Sequence, residues 1–169
     1  MLAAEDKIPD GVTPIWIEGH GQYVSHTSMS EWDDFAAGPA AVAGPIAFER
    51  AGVSPEDVDF ACVYDAFSYM AMVTIEDLGF CKKGEGGPFF ASGATKLGGE
   101  LPVNPDGGGL SACHPGMRGL FLLVEATKQL RGDYAKAGTP ERQVEGAKLA
   151  AVSGTGGWFC SNGTLILGT

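Results

Sequence analysis

A short apolar stretch, Asp59-Phe-Ala-Cys-Val-Tyr64, constrains the fold more than any other part of the sequence. The run is nearly continuous and has the length of a single strand. Strands of this kind are buried on both faces, in parallel or mixed sheets that helices cover. A helical pattern, Ser68 to Leu78, begins directly after it, and Gly79 ends that helix. We therefore predict an α/β protein in which Tyr64 lies at the carboxyl end of a buried strand, where open α/β sheets bind ligands.

The remaining patterns place this strand in a mixed sheet layered with helices. They indicate one domain over residues 1–169, of which residues 1–13 are a polar lead-in. A strand is predicted at Pro14–Glu18, which Tyr23-Val24 extends after a Gly-His-Gly turn, and short helices follow between Ser30 and Arg50. A later helix has Leu120, Leu123, Val124 and Leu130 on one face and ends at Gly132. The chain closes with a strand at Ala147–Ser153, a turn at Gly154–Gly157 and a strand at Thr164–Leu167.

Composition excludes several classes of function. The net charge of −10 leaves no basic stripe to neutralise phosphates, which argues against a nucleic-acid partner. No apolar run is long enough to span a bilayer, and the start lacks a secretory pattern. The four cysteines lie far apart without metal-ligand spacing, so reduced thiols in a cytoplasmic protein and no metal site are predicted.

The second notable feature is a glycine-rich segment, Asn104 to Gly119, that contains His114 and Pro115 and leads into a helix. Glycines allow a backbone to approach a ligand or another strand closely. A histidine on such a loop can transfer protons to and from a substrate. A buried, hydrogen-bonded histidine is the alternative, and local chemistry does not separate the two. The glycines at 154–157 join strand to strand, so they lack the helix N-terminus that a dinucleotide loop requires.

Several ordered motifs together resemble the thiolase superfamily, and most of all its sterol-carrier/lipid-transfer branch. They are Tyr64-Asp-Ala-Phe67, Glu76-Asp-Leu-Gly79, Gly84-Glu85, Leu101-Pro-Val-Asn104, Gly107-Gly-Gly109, His114-Pro115, Gln129-Leu-Arg-Gly132 and Gly154-Thr-Gly-Gly157. The resemblance covers most of residues 15–167 and only the C-terminal half of a thiolase. It implies a thiolase-like half with a mixed sheet and helices, completed by an N-terminal half or a partner subunit.

The resemblance also implies roles for individual residues. His114 corresponds to the family histidine that helps to activate the nucleophile and faces the thioester oxygen. Tyr64 stands where the family usually has an asparagine or a histidine; a phenol donates a hydrogen bond readily but is a poor base at neutral pH. Asp65 is also expected to anchor the loop by accepting backbone amides. The implied substrate is a coenzyme A thioester, with no covalently bound cofactor, and the residues implied to line its site are Asp65, Phe67, Gly108, Gly109, Ser153 and Gly156.

Two departures from the family pattern affect the expected chemistry. The nucleophilic cysteine of thiolases comes from the N-terminal half, and none of the four cysteines here has its context. Ser153 takes the place of the second catalytic cysteine and cannot act as a thiolate base. Cys160 is a possible catalytic residue if its segment folds back into the site, with a core or turn cysteine as the alternative. Cys113 is expected to be a small filler beside His114.

Three functional hypotheses follow from the resemblance. The first is an acyltransferase acting on acyl-CoA in lipid or sterol metabolism, active only with an N-terminal half. The second is a retro-aldolase that cleaves a steroid-CoA side chain, with tyrosine and histidine in place of cysteine chemistry. The third is a non-catalytic subunit that binds acyl-CoA or lipid. Each predicts an oligomeric assembly, because an isolated half exposes the apolar surface that its other half would cover.

Overall fold

The computed structural model describes residues 2–113 and 116–169. Four strands form one sheet in the order β1-β4-β3-β2, and six α-helices of 4–14 residues surround it. The strands are β1 (Trp16–Val24), β2 (Phe60–Val63), β3 (Leu149–Gly156) and β4 (Ser161–Gly168). The helices are α1 (Ala40–Ala51), α2 (Ser68–Asp77), α3 (Gly86–Ala91), α4 (Gly108–Ser111), α5 (Arg118–Arg131) and α6 (Asp133–Lys136).

The sheet is mixed, as the sequence predicts. Strand β2 runs parallel to β3, whereas β4 is antiparallel to both of its neighbours, β3 and β1. All four residues of β2 are buried, which confirms that this strand is covered on both faces. Because β2 and β3 are parallel, their carboxyl ends meet at the same edge of the sheet. The candidate functional residues Tyr64 and Asp65 come directly after β2, at this edge.

Helices cover the sheet from both sides and create two separate cores. On one face, Phe48 of α1 and Ile75 and Leu78 of the α2 segment pack with Ala61 and Ile166 of the sheet. On the other face, Leu122, Ala126 and Leu130 of α5 pack against Phe60 and Val152, among others. The alternating side chains of β2 and β3 therefore divide between the two cores, and α5 alone among the longer helices covers the second face.

The first strand corrects one prediction: Gly19-His20-Gly21 is no turn, because β1 continues through it to Val24 with one irregularity between Ile17 and Gly19. A Cβ atom on Gly19 would lie 2.2 Å from the Ala47 carbonyl oxygen, and one on Gly21 would lie 2.0 Å from that of Ala43. The glycines thus bring the backbone of α1 directly onto the strand. They serve close packing rather than chain reversal.

Replacing Gly21 with alanine is expected to lower the free energy of unfolding by about 3 kcal/mol, the upper part of the usual range for an overpacked core. The cost is high because the added methyl would meet helix backbone, which cannot rotate away. Gly163→Ala in the adjacent strand is the matched control, since its Cβ would meet nothing within 4 Å. Urea denaturation followed by circular dichroism measures both variants. Equal stability of the two would contradict this account of the β1–α1 contact.

Two other element boundaries differ from the sequence prediction, and one predicted helix face is partly exposed. The short helices expected before Arg50 are one helix, α1, with Pro45 inside it. Strand β3 continues through Gly156, so the turn follows it instead of beginning at Gly154. In α5 the buried apolar residues are Leu122, Ala126 and Leu130, whereas Leu120 and Val124 are 57% and 53% exposed. Two of the four apolar residues on the predicted face of this helix are therefore uncovered in the part of the chain that the structure describes.

Candidate active site at the carboxyl ends of two parallel strands

Tyr64 is the first residue after β2, and its backbone continues the pairing with β3. Its N–H donates to the Ser153 carbonyl oxygen at 2.9 Å. Its partly buried ring packs against the α5-side core and also against a third cluster formed by Trp32, Met70 and Phe159. The phenol is therefore held at the strand end predicted from the sequence, between the sheet and the loops above it.

Asp65 joins this strand end to the glycine-rich segment. Its buried carboxylate accepts hydrogen bonds from the backbone N–H of Gly109 at 2.6 Å and of Leu110 at 3.3 Å. A Cβ atom on Gly108 would lie 2.0 Å from Asp65 Oδ2, so only glycine permits this approach. The predicted anchoring of the loop by Asp65 is confirmed, and the same contacts place Gly108 and Gly109 beside the strand end.

Asn104 holds the start of the same segment against β2. Its Oδ1 accepts from the Val63 N–H at 2.8 Å, and its Nδ2 donates to the Val63 carbonyl oxygen at 3.0 Å. Its own N–H donates to the Ala61 carbonyl oxygen at 2.8 Å. The amide side chain therefore supplies the hydrogen bonds that a further strand would make. Asn104 adopts a left-handed backbone conformation, with φ of 50°, which asparagine tolerates better than most residues.

Sequence reasoning missed a buried ion pair beneath this segment. Arg118, the first residue of α5, donates through Nη2 to both carboxylate oxygens of Asp106, at 3.0 and 2.7 Å. Asp106 Oδ1 also accepts from the Gly108 N–H at 2.9 Å. Arg118 is 3% exposed. The sequence signal was an arginine directly after a glycine-rich loop, at a helix start where a cation is ordinarily unfavourable.

His114 and Pro115 lie outside the described residues, so the predicted meeting of Tyr64 and His114 stays a prediction. The two flanks of their segment do reach the same edge of the sheet. Gly109 lies on Asp65, and on the other flank the Gly119 Cα is 3.7 Å from the position that a Cβ atom on Gly154 would occupy. The flank before the histidine is therefore hydrogen-bonded just beyond the end of β2, and the flank after it lies against Gly154 of β3.

Ser153 lies in the interior and is not exposed. Its Oγ accepts from Asn162 Nδ2 at 3.0 Å and pairs with Thr164 Oγ1 at 3.1 Å, while that threonine donates to Asn162 Oδ1 at 2.9 Å. Three buried polar groups thus satisfy one another between β3 and β4. In this arrangement Ser153 supports the strand next to Tyr64 and offers no surface to a ligand. Gly156, the last residue of β3, lies farther along the same strand.

Aromatic side chains border the strand ends. Trp32 stacks on Phe159 with ring centroids 5.0 Å apart, and Tyr69 of α2 lies 6.5 Å from the same phenylalanine. Phe67, just before α2, is 67% exposed, and Trp158, just before Phe159, is 72% exposed. This aromatic border is defined as Trp32, Phe67, Tyr69, Trp158 and Phe159. Its exposed apolar area comes from Phe67, Tyr69 and Trp158, while Trp32 and Phe159 are buried and pack against Tyr64.

All four cysteine thiols are free, and they differ in accessibility. Cys160 is buried in the connection between β3 and β4, where its carbonyl oxygen accepts from the Ser25 N–H at 2.8 Å. Cys62 is buried within β2, and burial, together with Glu125 and Asp106, raises the pKa of its thiol well above the usual range. Cys113, one residue before His114, is exposed.

We expect Cys113 to react with iodoacetamide at least about 100-fold faster than Cys62 in the native chain, because a buried thiol reacts only when the structure opens. Cys160 is expected to react slowly as well. Peptide mass spectrometry after timed labelling gives the rate at each position, and labelling in urea provides the unfolded reference. Labelling of Cys160 as fast as that of Cys113 would contradict its burial and favour a catalytic role for it.

Two kinds of feature were not found among the described residues, a membrane-spanning helix and a metal-binding cluster. Across the part of the chain that the structure describes, no helix is long and apolar enough to cross a membrane. Over the same residues, no group of three or more His, Cys, Asp or Glu side chains is arranged to hold a metal ion.

The architecture and the site define a class of protein. The chain has a mixed sheet between helical layers. A tyrosine and an acid lie at a strand end, and a glycine-rich loop is held against them. This arrangement is one half of a thiolase-like fold. Residues 21–169 match the model of the family described as thiolase C-terminal domain-like. The chain belongs to this family.

Similar proteins place the chain in the branch that its motifs predict. It is 38% identical over 150 residues to an acetyl-CoA acetyltransferase of Methanothermobacter thermautotrophicus, covering 86% of this chain and 38% of the relative. It is 40% identical over 104 residues to sterol carrier protein 2 of Bos taurus, covering 61% and 18%. The solved structure of the Ltp2-ChsH2(DUF35) aldolase is 27% identical, with a TM-score of 0.76, and the match covers 92% of this chain and 40% of that one. The chain thus spans at most about two fifths of the length of these relatives.

Proposed function

We propose that this chain is the C-terminal half, or a subunit, of a thiolase-like enzyme that makes or breaks a carbon–carbon bond in an acyl-CoA thioester. The observation that carries the proposal is the contact of Asp65 with the amides of Gly109 and Leu110, which joins the Tyr64 strand end to the loop containing His114 in sequence. Relatives named as an acetyl-CoA acetyltransferase and an aldolase support chemistry of this class.

In the acyl-transfer form of this proposal, the nucleophilic cysteine comes from an N-terminal half or partner. His114 takes the proton of that thiol and faces the thioester oxygen, while the Tyr64 hydroxyl donates a hydrogen bond to the oxygen that becomes negatively charged. Two donors on one developing oxyanion stabilise it in a site from which water is excluded. Gly108 and Gly109 allow the loop backbone to pack directly against Asp65 beside the site, since a Cβ atom on either would lie within 3.0 Å of its carboxylate.

A retro-aldol cleavage is the second candidate, and the position of Ser153 favours it. The residue in place of the second catalytic cysteine is a serine that is fully buried and hydrogen-bonded, so this chain supplies no thiol base at that position. A retro-aldol reaction needs one group to take a proton from the substrate hydroxyl and one to stabilise the enolate, and a tyrosine and a histidine can supply both. The aromatic border is suited to a bulky apolar acyl group such as a steroid.

The partner half is expected to cover the exposed side of α5. The apolar side chains on that side are each at least 46% exposed: Leu120, Phe121 and Val124 of α5, and Met117 directly before it. Beside them lies a groove of about 400 Å³ between α5 and the sheet, lined by Leu123, Val152 and Leu165 among others. An apolar helix face next to an apolar groove indicates a surface that a second protein segment covers. The curated relatives are long enough to contain such a segment.

A Leu120→Glu/Val124→Glu variant is expected to bind the N-terminal half at least about 100-fold more weakly, because two charges would be buried in the centre of the interface. The chain itself should still fold, since both side chains are exposed in it. Val42→Glu is the matched control, as Val42 is 40% exposed on α1, the helix on the opposite face of the sheet. Calorimetric titration with the separately expressed half measures the affinity. Unchanged binding by the double variant would place the interface elsewhere.

The function is tested by co-expressing this chain with the N-terminal half and assaying two reactions. Acyl exchange between CoA thioesters would support the transferase, and release of a ketone from a β-hydroxyacyl-CoA would support the aldolase. Exchange that disappears when the partner's nucleophilic cysteine is replaced would separate the two mechanisms. A complex that binds CoA thioesters and turns over neither substrate would instead indicate a non-catalytic binding subunit.

A further inference from the structure

Among the residues that the structure describes in the site region, Arg118 and Asp106 form a buried ion pair that the proposed chemistry does not use. The Arg118 and Asp106 side chains are only 2% and 16% exposed. Burying an arginine at a helix start is unfavourable twice over, since it loses hydration and meets the positive end of the helix dipole. An uncharged side chain would meet neither penalty, so the position of this arginine needs an explanation beyond packing.

The contacts of Asp106 connect the ion pair to the active-site loop. Asp106 Oδ1 accepts hydrogen bonds from Arg118 and from the N–H of Gly108. Gly108 is the first residue of α4. The next two N–H groups, those of Gly109 and Leu110, are the ones that donate to Asp65. The guanidinium also lies over this turn, because its Nε is 3.9 Å from the Cβ position of Gly109. One short turn of backbone is therefore held by two carboxylates, and Arg118 holds one of them.

We propose that Arg118 is a positioning residue, which orients Asp106 so that the α4 turn presents its N–H groups to Asp65 and thereby holds the Tyr64 strand end in its reactive position. Arg118 acts through Asp106 and the backbone and does not itself contact the substrate. Its catalytic consequence rests on the proposed function, whereas its effect on the α4 turn does not. A displacement of about 1 Å at a reacting group lowers turnover by about 100-fold, so a modest change in this turn has a large effect.

The test compares Arg118→Met, Arg118→Lys and Asp106→Asn with Arg131→Met in the assembled complex. Arg131 is the matched control, because it lies in the last turn of the same helix and donates to the Thr13 carbonyl oxygen away from the site. Hydrogen exchange of the Gly109 and Leu110 amides, measured by NMR, reports the α4 turn directly. We expect Arg118→Met to speed that exchange by about 10- to 100-fold. Arg131→Met should leave it unchanged.

Turnover provides the second measurement. Arg118→Met is expected to lower kcat by about 100-fold with KM within about threefold. Added guanidinium ion, or the Arg118→Lys variant, should restore part of kcat. Unchanged amide exchange in Arg118→Met would overturn the proposal, and so would faster exchange without a fall in kcat. If Arg118→Met does not fold, the same comparison is made with Asp106→Asn. A wild-type complex without turnover would refute the proposed function, while the exchange data would still decide the role of Arg118 in the turn.

Discussion

In the proposed complex with an N-terminal half, a Tyr64→Phe variant is expected to lose about two to four orders of magnitude in kcat, the usual contribution of a group that donates or accepts a proton in the transition state. The substitution removes the hydroxyl and keeps the ring, whose packing against both neighbouring clusters is therefore preserved. Affinity for the CoA thioester should change little, because the hydroxyl is assigned to the charge that develops during the reaction and not to ground-state binding.

Steady-state kinetics and calorimetric binding of a non-reactive thioester analogue measure these two quantities. Tyr23→Phe is the matched control, since Tyr23 lies on β1, at the opposite edge of the sheet from β2. Near wild-type turnover in Tyr64→Phe would remove the phenol from the mechanism. The acyl-transfer and retro-aldol forms of the proposal would both then need another donor.

The second large effect is expected from Gly108→Ala, with a loss of roughly 3–5 kcal/mol in the free energy of unfolding. Two costs combine. Gly108 has φ of +69°, where a Cβ atom costs about 1–2 kcal/mol, and that atom would lie 2.0 Å from Asp65 Oδ2. Asp65, which is buried, would have to move away from the amides of Gly109 and Leu110, and a hydrogen bond to a charged group contributes about 1.5–3 kcal/mol.

Gly132→Ala separates these two costs. Gly132 has φ of +68°, and its Cβ would meet nothing within 4 Å, so this variant carries the backbone cost alone. The difference between the two variants in urea denaturation is the contribution of the contact with Asp65. A difference near zero would show that Asp65 moves aside at no cost, and the anchoring of the loop to the strand end would then be weak.

The elements nearest the site were predictable because local signals agreed with the tertiary structure. The run ending at Tyr64 became a fully buried strand, the helix after it spans Ser68–Asp77, and Gly132 ends α5 in the left-handed conformation. The anchoring role of Asp65 was also predictable, because a short acid at a strand end commonly accepts backbone amides. For the strand and the two helices, neighbours in the sequence are also the physical cause, whereas the amides that donate to Asp65 lie 44 and 45 residues away.

Glycine was misread where its partner is distant in sequence. Gly19 and Gly21 resemble turn residues locally, yet their role is set by the carbonyl groups of Ala47 and Ala43, more than 20 residues away. The sequence pattern of α5 did not show which of its apolar residues this chain buries. Leu120 and Val124 are exposed in the described part of the chain, whereas Leu122 is fully buried. Periodicity shows that a residue is apolar and does not show which molecule buries it.

By itself the sequence determined the fold class, since hydrophobic run length and glycine placement are local properties. Its ordered motifs indicated the family by resemblance, and they included the two segments that meet at the candidate site. Only the tertiary structure decided which groups meet: Arg118 with Asp106, Asp65 with the amides of Gly109 and Leu110, and Ser153 with Asn162 and Thr164. The physical reason is that a buried polar group must find a partner wherever the fold provides one. That partner depends on distances between elements, which no local pattern encodes.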